Sequence, residues 1–172
     1  KFQNLSSLFK YIVNQHTDKP ALIFSDNKKV TFGELNKKSD QLASFLINRG
    51  FSHKDVILFS GEKKYITYLL ILACIKLGIT YSAYDPNTPI QRFKKIIETC
   101  NPKLVLIGSN QDKLSEYLRE KKSLKLFDET SLNKEYIKTE SHQKLDDNLI
   151  SGQTSVYIMF TSGSTGVPKG AL

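Results

Sequence analysis

Residues 55–84 read DVILFSGEKKYITYLLILACIKLGITYSAY, and the grouping of this stretch decides the fold. Asp55-Val-Ile-Leu-Phe59 is a nearly continuous apolar run, the pattern of a strand buried on both faces. After Gly61 a helix is predicted over Tyr65 to Leu77, stopped at Gly78. That helix is apolar almost all round, so it belongs between other elements rather than on a surface. Ile79-Thr-Tyr-Ser-Ala-Tyr84 is a further strand, closed by Asp85-Pro86. A strand, a helix and a strand joined by short connectors form a right-handed crossover, which leaves the two strands parallel.

The same alternation extends outward on both sides. Leu5, Leu8, Phe9 and Ile12 fall at helical spacing between Leu5 and Gln15. Thr17-Asp-Lys-Pro20 ends that helix, Ala21-Leu-Ile-Phe24 reads as a short strand, and Asp26-Asn-Lys-Lys29 makes a polar turn. Thr31 and Glu34 form a T-x-x-E capping box, with Val30 and Leu35 at the hydrophobic-staple positions. Leu35, Leu42, Phe45 and Leu46 line one face of the helix that follows, and Gly50 stops it. Downstream, Thr88-Pro89-Ile90-Gln91 predicts another capping box with proline at the first helical position. Ile90, Phe93, Ile97 and Cys100 form the core face of that helix, which Asn101-Pro102 ends. Leu104-Val-Leu-Ile107 is a buried strand, residues 112–122 a helix, and Leu124-Lys-Leu-Phe127 a weaker strand. The class is α/β, with strands and helices alternating around a mostly parallel sheet. From Asp128 to Gln153 the periodicity fades, and a long polar connection is expected; pairs such as Asp146-Asp147 read as solvated surface rather than acid/base catalysts.

Bulk properties remove several function classes. The 172 residues suit one domain, and 40% hydrophobic with 24% charged residues is ordinary globular composition. The net charge of +8 raises nucleic acid as a partner, but the excess is scattered lysine, with Arg49, Arg92 and Arg119 the only arginines. Base reading and bidentate phosphate recognition favour clustered arginine, so a lysine-rich solvated surface is expected, with no nucleic acid. The longest apolar stretch, Ile66 to Ile75, is about half a membrane span and is flanked by lysines, so no membrane partner is expected. No signal peptide is recognisable, and a cytoplasmic origin is expected. The chain begins at Lys1 without methionine, which reads as a processed or excised piece. Cys74 and Cys100 lie inside apolar helical patterns without ligand spacing and read as buried thiols, not metal or redox groups. His16, His53 and His142 sit in polar surroundings and read as surface residues.

The chemistry concentrates at the end of the chain. Val156-Tyr-Ile-Met-Phe160 reads as a buried strand that opens into Thr161-Ser-Gly-Ser-Thr-Gly-Val-Pro-Lys-Gly170. This loop holds three glycines, four hydroxyl residues, one proline and one lysine. Glycines let backbone N–H groups converge on a ligand, and the hydroxyls of Thr161, Ser162, Ser164 and Thr165 add donors. Lys169 supplies a mobile positive charge, and Pro168 stiffens the backbone. Such an inventory suits phosphate. It is not the kinase and ATPase P-loop, because proline precedes the lysine and glycine follows it where that motif needs Ser or Thr. The spacing of the dinucleotide fingerprint is absent as well.

Thr161 to Gly170 resembles the signature of the adenylate-forming (AMP-binding) superfamily, T-S-G-[ST]-T-G-x-P-K-G, at every defined position. Two upstream segments are similar to further motifs of that family. Val30-Thr-Phe-Gly-Glu-Leu-Asn36, with Leu42-Ala43 and Leu46, resembles T-Y-x-E-L-N…L-A-x-x-L. Ile75-Lys-Leu-Gly-Ile-Thr-Tyr81 with Asp85-Pro86, Pro89 and Arg92 resembles L-K-A-G-x-A-Y-V-P-I-D-P-x-x-P-x-x-R. The chain departs from the second pattern at Leu77 and at Ser82-Ala83, where Val-Pro is usual; these positions read as packing. The resemblance spans about Leu8 to Gly170 and is nearest to nonribosomal peptide synthetase adenylation domains, with D-alanine–carrier protein ligases close behind.

The resemblance implies an N-terminal, incomplete segment of one large adenylation domain. It implies a ligase that joins an amino acid or other small carboxylic acid to AMP, releases pyrophosphate, and passes the acyl group to the phosphopantetheine thiol of a carrier protein. ATP and Mg2+ are the implied cofactors. Phosphate binding falls to Thr161, Ser162, Gly163, Ser164, Thr165, Gly166, Pro168, Lys169 and Gly170. In that family the magnesium-holding acid, the ribose aspartate and the catalytic lysine all lie beyond this loop. No catalytic or metal-ligating residue is therefore expected within the chain, and the C-terminal remainder of the same domain is an implied partner. The alternatives are an acid–thiol ligase of the acyl-CoA synthetase type and a non-catalytic, truncated nucleotide-binding remnant.

Overall fold

The β-α-β unit at residues 55–84 forms as its pattern requires. The computed structural model describes residues 4–140, 150–151, 153–162 and 168–171. Its elements are α1 (Leu5–His16), β1 (Pro20–Ile23), β2 (Lys29–Thr31), α2 (Phe32–Asn48), β3 (Val56–Ser60), α3 (Tyr65–Leu77) and β4 (Thr80–Tyr84). They continue with α4 (Ile90–Cys100), β5 (Leu104–Leu106), α5 (Asp112–Arg119), β6 (Lys125–Phe127), α6 (Glu129–Tyr136), β7 (Met159–Ser162) and β8 (Pro168–Ala171).

A four-stranded sheet runs in the order β4-β3-β5-β6. All its pairs are parallel, with Val56 opposite Thr80, Ile57 opposite Leu104, and Leu104 opposite Lys125. Two apolar layers clothe it, and strand alternation assigns residues between them. Ile57, Phe59, Leu104 and Leu106 join the cluster that contains Leu42, Leu46, Leu69, Leu70 and Leu132 of α2, α3 and α6. Leu58 and Val105 join Phe93, Ile97, Leu114 and Leu118 of α4 and α5. Both faces of β3 and β5 are therefore buried, which accounts for their unbroken apolar sequence. The all-round apolar α3 packs against α1, α2, β3 and β4.

Local signals hold where they are backbone-specific. The Glu34 amide donates to Thr31 Oγ1 at 3.1 Å and the Thr31 amide to Glu34 Oε2 at 2.9 Å, closing the capping box of α2. Gly78 ends α3 at φ 64°, a left-handed position that a side chain would strain. Cys74 and Cys100 are buried free thiols, and His16 and His53 are exposed; His142 lies outside the described residues. Among the described residues no helix is long and apolar enough to cross a membrane.

Two expectations are corrected. Residues 128–153 are not a plain polar connection, because α6 forms over Glu129–Tyr136 with Asp128 as its cap: the Ser131 amide donates to Asp128 Oδ1 at 2.7 Å. Leu132 and Tyr136 bury against the α2 layer, and Gln41 Nε2 donates to the carbonyls of Ile137 and Thr139 just past the end of α6. The capping box expected at Thr88 is absent. Pro89 occupies the cap of α4 without a side-chain bond, because Asp85 has turned the chain first, accepting from the Asn87 amide on Oδ1 at 2.8 Å and from the Thr88 amide on its carbonyl at 2.8 Å. The strand expected over Ala21–Phe24 does form, as β1, and pairs antiparallel with β2 around the polar turn at Asp26.

Candidate phosphate-binding site

The apolar run Val156–Phe160 divides between two partners rather than forming one buried strand. Its first half extends the parallel sheet: Tyr157 bridges Tyr81 in parallel. The Tyr81 amide donates to the Val156 carbonyl at 3.0 Å and the Ile158 amide to the Tyr81 carbonyl at 2.9 Å. The Tyr157 ring tilts against Tyr81 at 5.2 Å, and Tyr81 stacks on Phe59 at 5.7 Å. The chain then leaves the edge of β4, and β7 pairs antiparallel with β8. Met159 is consequently 54% exposed, while Ile158 and Phe160 pack into the α4/α5 cluster.

This hairpin carries the phosphate-loop sequence. Phe160 pairs with Gly170, Thr161 with Lys169, and Ser162 with Pro168. The first and last thirds of the loop sequence are thus strand rather than loop. Cross-strand neighbours lie about 4.5–5.5 Å apart, so the backbones of Thr161 and Lys169 are held side by side. Gly163, Ser164, Thr165, Gly166 and Val167, between the strands in sequence, lie outside the described residues. On its other side β8 packs against α4.

The motif segment from Ile79 to Arg92 borders the hairpin. A cleft of about 330 Å³ at the C-terminal end of β4 is lined by Tyr84, Asp85, Arg92, Ile96 and Phe160, among others. Ligands of open α/β sheets bind beyond the carboxyl ends of their strands, which is where this cleft and the hairpin lie. Beside it, Tyr84 donates its hydroxyl to Gln111 Oε1 at 2.6 Å, and Gln111 Nε2 donates to the Pro86 carbonyl at 2.9 Å. Burial pushes the Tyr84 phenol up to about 12, against the opposing effect of its bond from the Gly108 amide. Tyr84 is therefore a neutral structural hydroxyl at neutral pH, tying the ends of β4 and β5 together. Gly108 is needed there: a Cβ would lie 2.5 Å from Ser60 Oγ.

The two upstream motifs meet in the fold, a contact between residues about forty positions apart. Lys76, 6% exposed on α3, donates to Asn36 Oδ1 at 2.8 Å, Ser39 Oγ at 2.7 Å and Asp40 Oδ1 at 2.7 Å. The ammonium also reaches the Asn36 carbonyl at 3.1 Å. The lysine of the L-K-x-G segment is thus held by the asparagine of the E-L-N segment. The sequence does carry a signal for this contact: one cation inside an apolar, sandwiched helix requires buried acceptors.

A parallel sheet covered on both faces, with an antiparallel Gly/Ser/Thr/Lys hairpin beyond its edge strand, defines an α/β protein. The model of the family described as "AMP-binding enzyme" matches residues 9–172, and the chain belongs to that adenylate-forming family. Nonribosomal peptide synthetase 2 of Gibberella zeae is 32% identical over 173 residues, covering 97% of this chain; the chain spans 3% of that synthetase. Among solved structures, the Klebsiella oxytoca NpsA N-terminal subdomain superposes with a TM-score of 0.81 at 22% identity, covering 99% of this chain and 41% of that one. A Mycobacterium tuberculosis fatty acyl CoA synthetase gives a TM-score of 0.85 at 17% identity over 97% of this chain and 34% of its own. These likenesses confirm the α/β class and place the parallel sheet as the N-terminal part of the adenylate-forming fold.

Proposed function

We propose that this chain is the N-terminal segment of an adenylation domain that activates an amino acid as its acyl-adenylate for transfer to a carrier-protein thiol. The observation that carries the reading is the Thr161–Gly170 sequence, with Thr161 and Lys169 paired on one hairpin. Attack of a carboxylate on the α-phosphorus requires the departing pyrophosphate to be held while its charge grows. Backbone N–H groups around Gly163 and Gly166, the hydroxyls of Thr161, Ser162, Ser164 and Thr165, and the Lys169 ammonium are the donors for that task. Pro168 and Gly170 shape the return strand. Magnesium, when bound, neutralises phosphate charge, and its protein ligand belongs to the remainder of the domain.

Identity to nonribosomal peptide synthetases favours an amino acid and a carrier protein over a fatty acid and coenzyme A, for which only a shared fold speaks. The test is ATP–pyrophosphate exchange by the complete enzyme carrying this segment, against a panel of amino, aryl and fatty acids, followed by acceptor assays with holo-carrier protein and coenzyme A. Exchange driven by one amino acid, with transfer to the carrier, is expected. Exchange with fatty acids alone, or none with any acid, overturns the reading. The 172-residue chain by itself is expected to support no exchange.

A further inference from the structure

We propose that Ser82, assisted by Thr80, is a positioning residue for ATP use, setting where the strand that enters the phosphate loop lies on the sheet edge. The proposal rests on the adenylation reading above. Parallel strands are ordinarily held by a run of evenly spaced backbone bonds. Residues 155–158 make a single bridge to β4, at Tyr81 and Tyr157. Two side chains on either side of that bridge extend the attachment. Thr80 Oγ1 donates to the Ser155 carbonyl at 3.1 Å, and Ser82 Oγ donates to the Ile158 carbonyl at 2.7 Å.

Of the two, Ser82 holds the decisive point. Its side chain is buried, and its bond is the shorter of the two. Its acceptor, Ile158, is the last residue before β7, where the chain passes from the parallel sheet to the hairpin. Thr161 and its cross-strand partner Lys169 follow within the same paired unit. Any shift at Ile158 is therefore carried to both.

Ser82→Thr and Ser82→Val form a matched test, since the two replacements differ only in a hydroxyl against a methyl. In the complete enzyme, Ser82→Val is expected to raise the KM for ATP in pyrophosphate exchange about three- to tenfold, as loss of one hydrogen bond implies. The KM for the acid should stay unchanged, and Ser82→Thr should remain within about twofold of wild type. Thermal unfolding of both variants, measured in parallel, removes packing effects common to them. In the 172-residue chain, the Ile158 amide should exchange with deuterium faster in Ser82→Val than in Ser82→Thr. Equal KM values for ATP in the two variants, or equal Ile158 exchange, overturn the positioning role while wild-type exchange remains normal. Absence of acid-dependent exchange in the wild-type enzyme instead removes the adenylation reading, and this proposal with it.

Discussion

The Lys76 ammonium lies 2.7 Å from the Asp40 carboxylate, joining α3 to α2 where only 6% of the lysine side chain and 31% of the aspartate is exposed. Removing the lysine takes the shared donor from acceptors on Asn36, Ser39 and Asp40, at greater cost than the ion pair's own net worth. Lys76→Ala is expected to lower stability in urea unfolding by about 2–4 kcal/mol. Lys76→Arg should not restore it, because a planar fork does not fit acceptors arranged around a point charge. A loss within about 0.5 kcal/mol, the range of ordinary surface substitutions, contradicts the assignment.

The Thr31 cap gives a second, smaller expectation. Thr31→Ala should cost about 1 kcal/mol and Thr31→Ser almost nothing, since only the hydroxyl acceptor matters. Chemical denaturation followed by far-UV circular dichroism measures both. Equal losses in the two variants would show that packing of the threonine methyl, not capping, is at work.

Burial raises both thiols: Cys100 is pushed up to about 11 and Cys74 higher still. The thiolate is the reactive form. At pH 8 iodoacetamide should therefore leave both cysteines unmodified in the folded chain and label both in denaturant, with mass spectrometry counting the adducts. Rapid native labelling of Cys74 would mean that α3 is not sandwiched as described.

At low pH, Asp128 is expected to weaken α6. Hydrogen bonds from Ser131, first its amide and then its hydroxyl, hold the Asp128 carboxyl below its ordinary value of 3.8. The folded form thus binds this proton less readily than the unfolded form. Its contribution is complete above pH 3.8 and declines as pH falls through the lower folded value. Asp128→Asn keeps a capping oxygen without the titration, so its stability should fall less steeply between pH 4 and 2 than that of wild type. Parallel curves would assign the acid sensitivity to other groups.

Sequence made legible what is local or periodic. The β-α-β grouping of residues 55–84, the cap at Thr31, the Gly78 stop and the buried thiols all follow from patterns contained within a few turns of chain. What escaped depends on partners distant in sequence. The two turns of α6 bury only Leu132 and Tyr136, too few apolar positions to raise a periodic signal. The change of partner at Ile158 is a choice between β4 and β8 that no property of Val156–Phe160 encodes. Proline after Thr88 read as a helix start, yet the bonds accepted by Asp85 had already claimed the turn. For the site, composition and signature single out the loop. The pairing of Thr161 with Lys169, and the support from Thr80 and Ser82, required the fold.

The central claim is that the hairpin from Met159 to Ala171 carries the phosphate-binding half of an adenylation site. Lys169→Ala in the complete enzyme tests it most directly, by acid-dependent ATP–pyrophosphate exchange measured as a function of ATP concentration. ATP use should fall sharply while the KM for the acid stays close to wild type. Unchanged ATP kinetics in Lys169→Ala would contradict it.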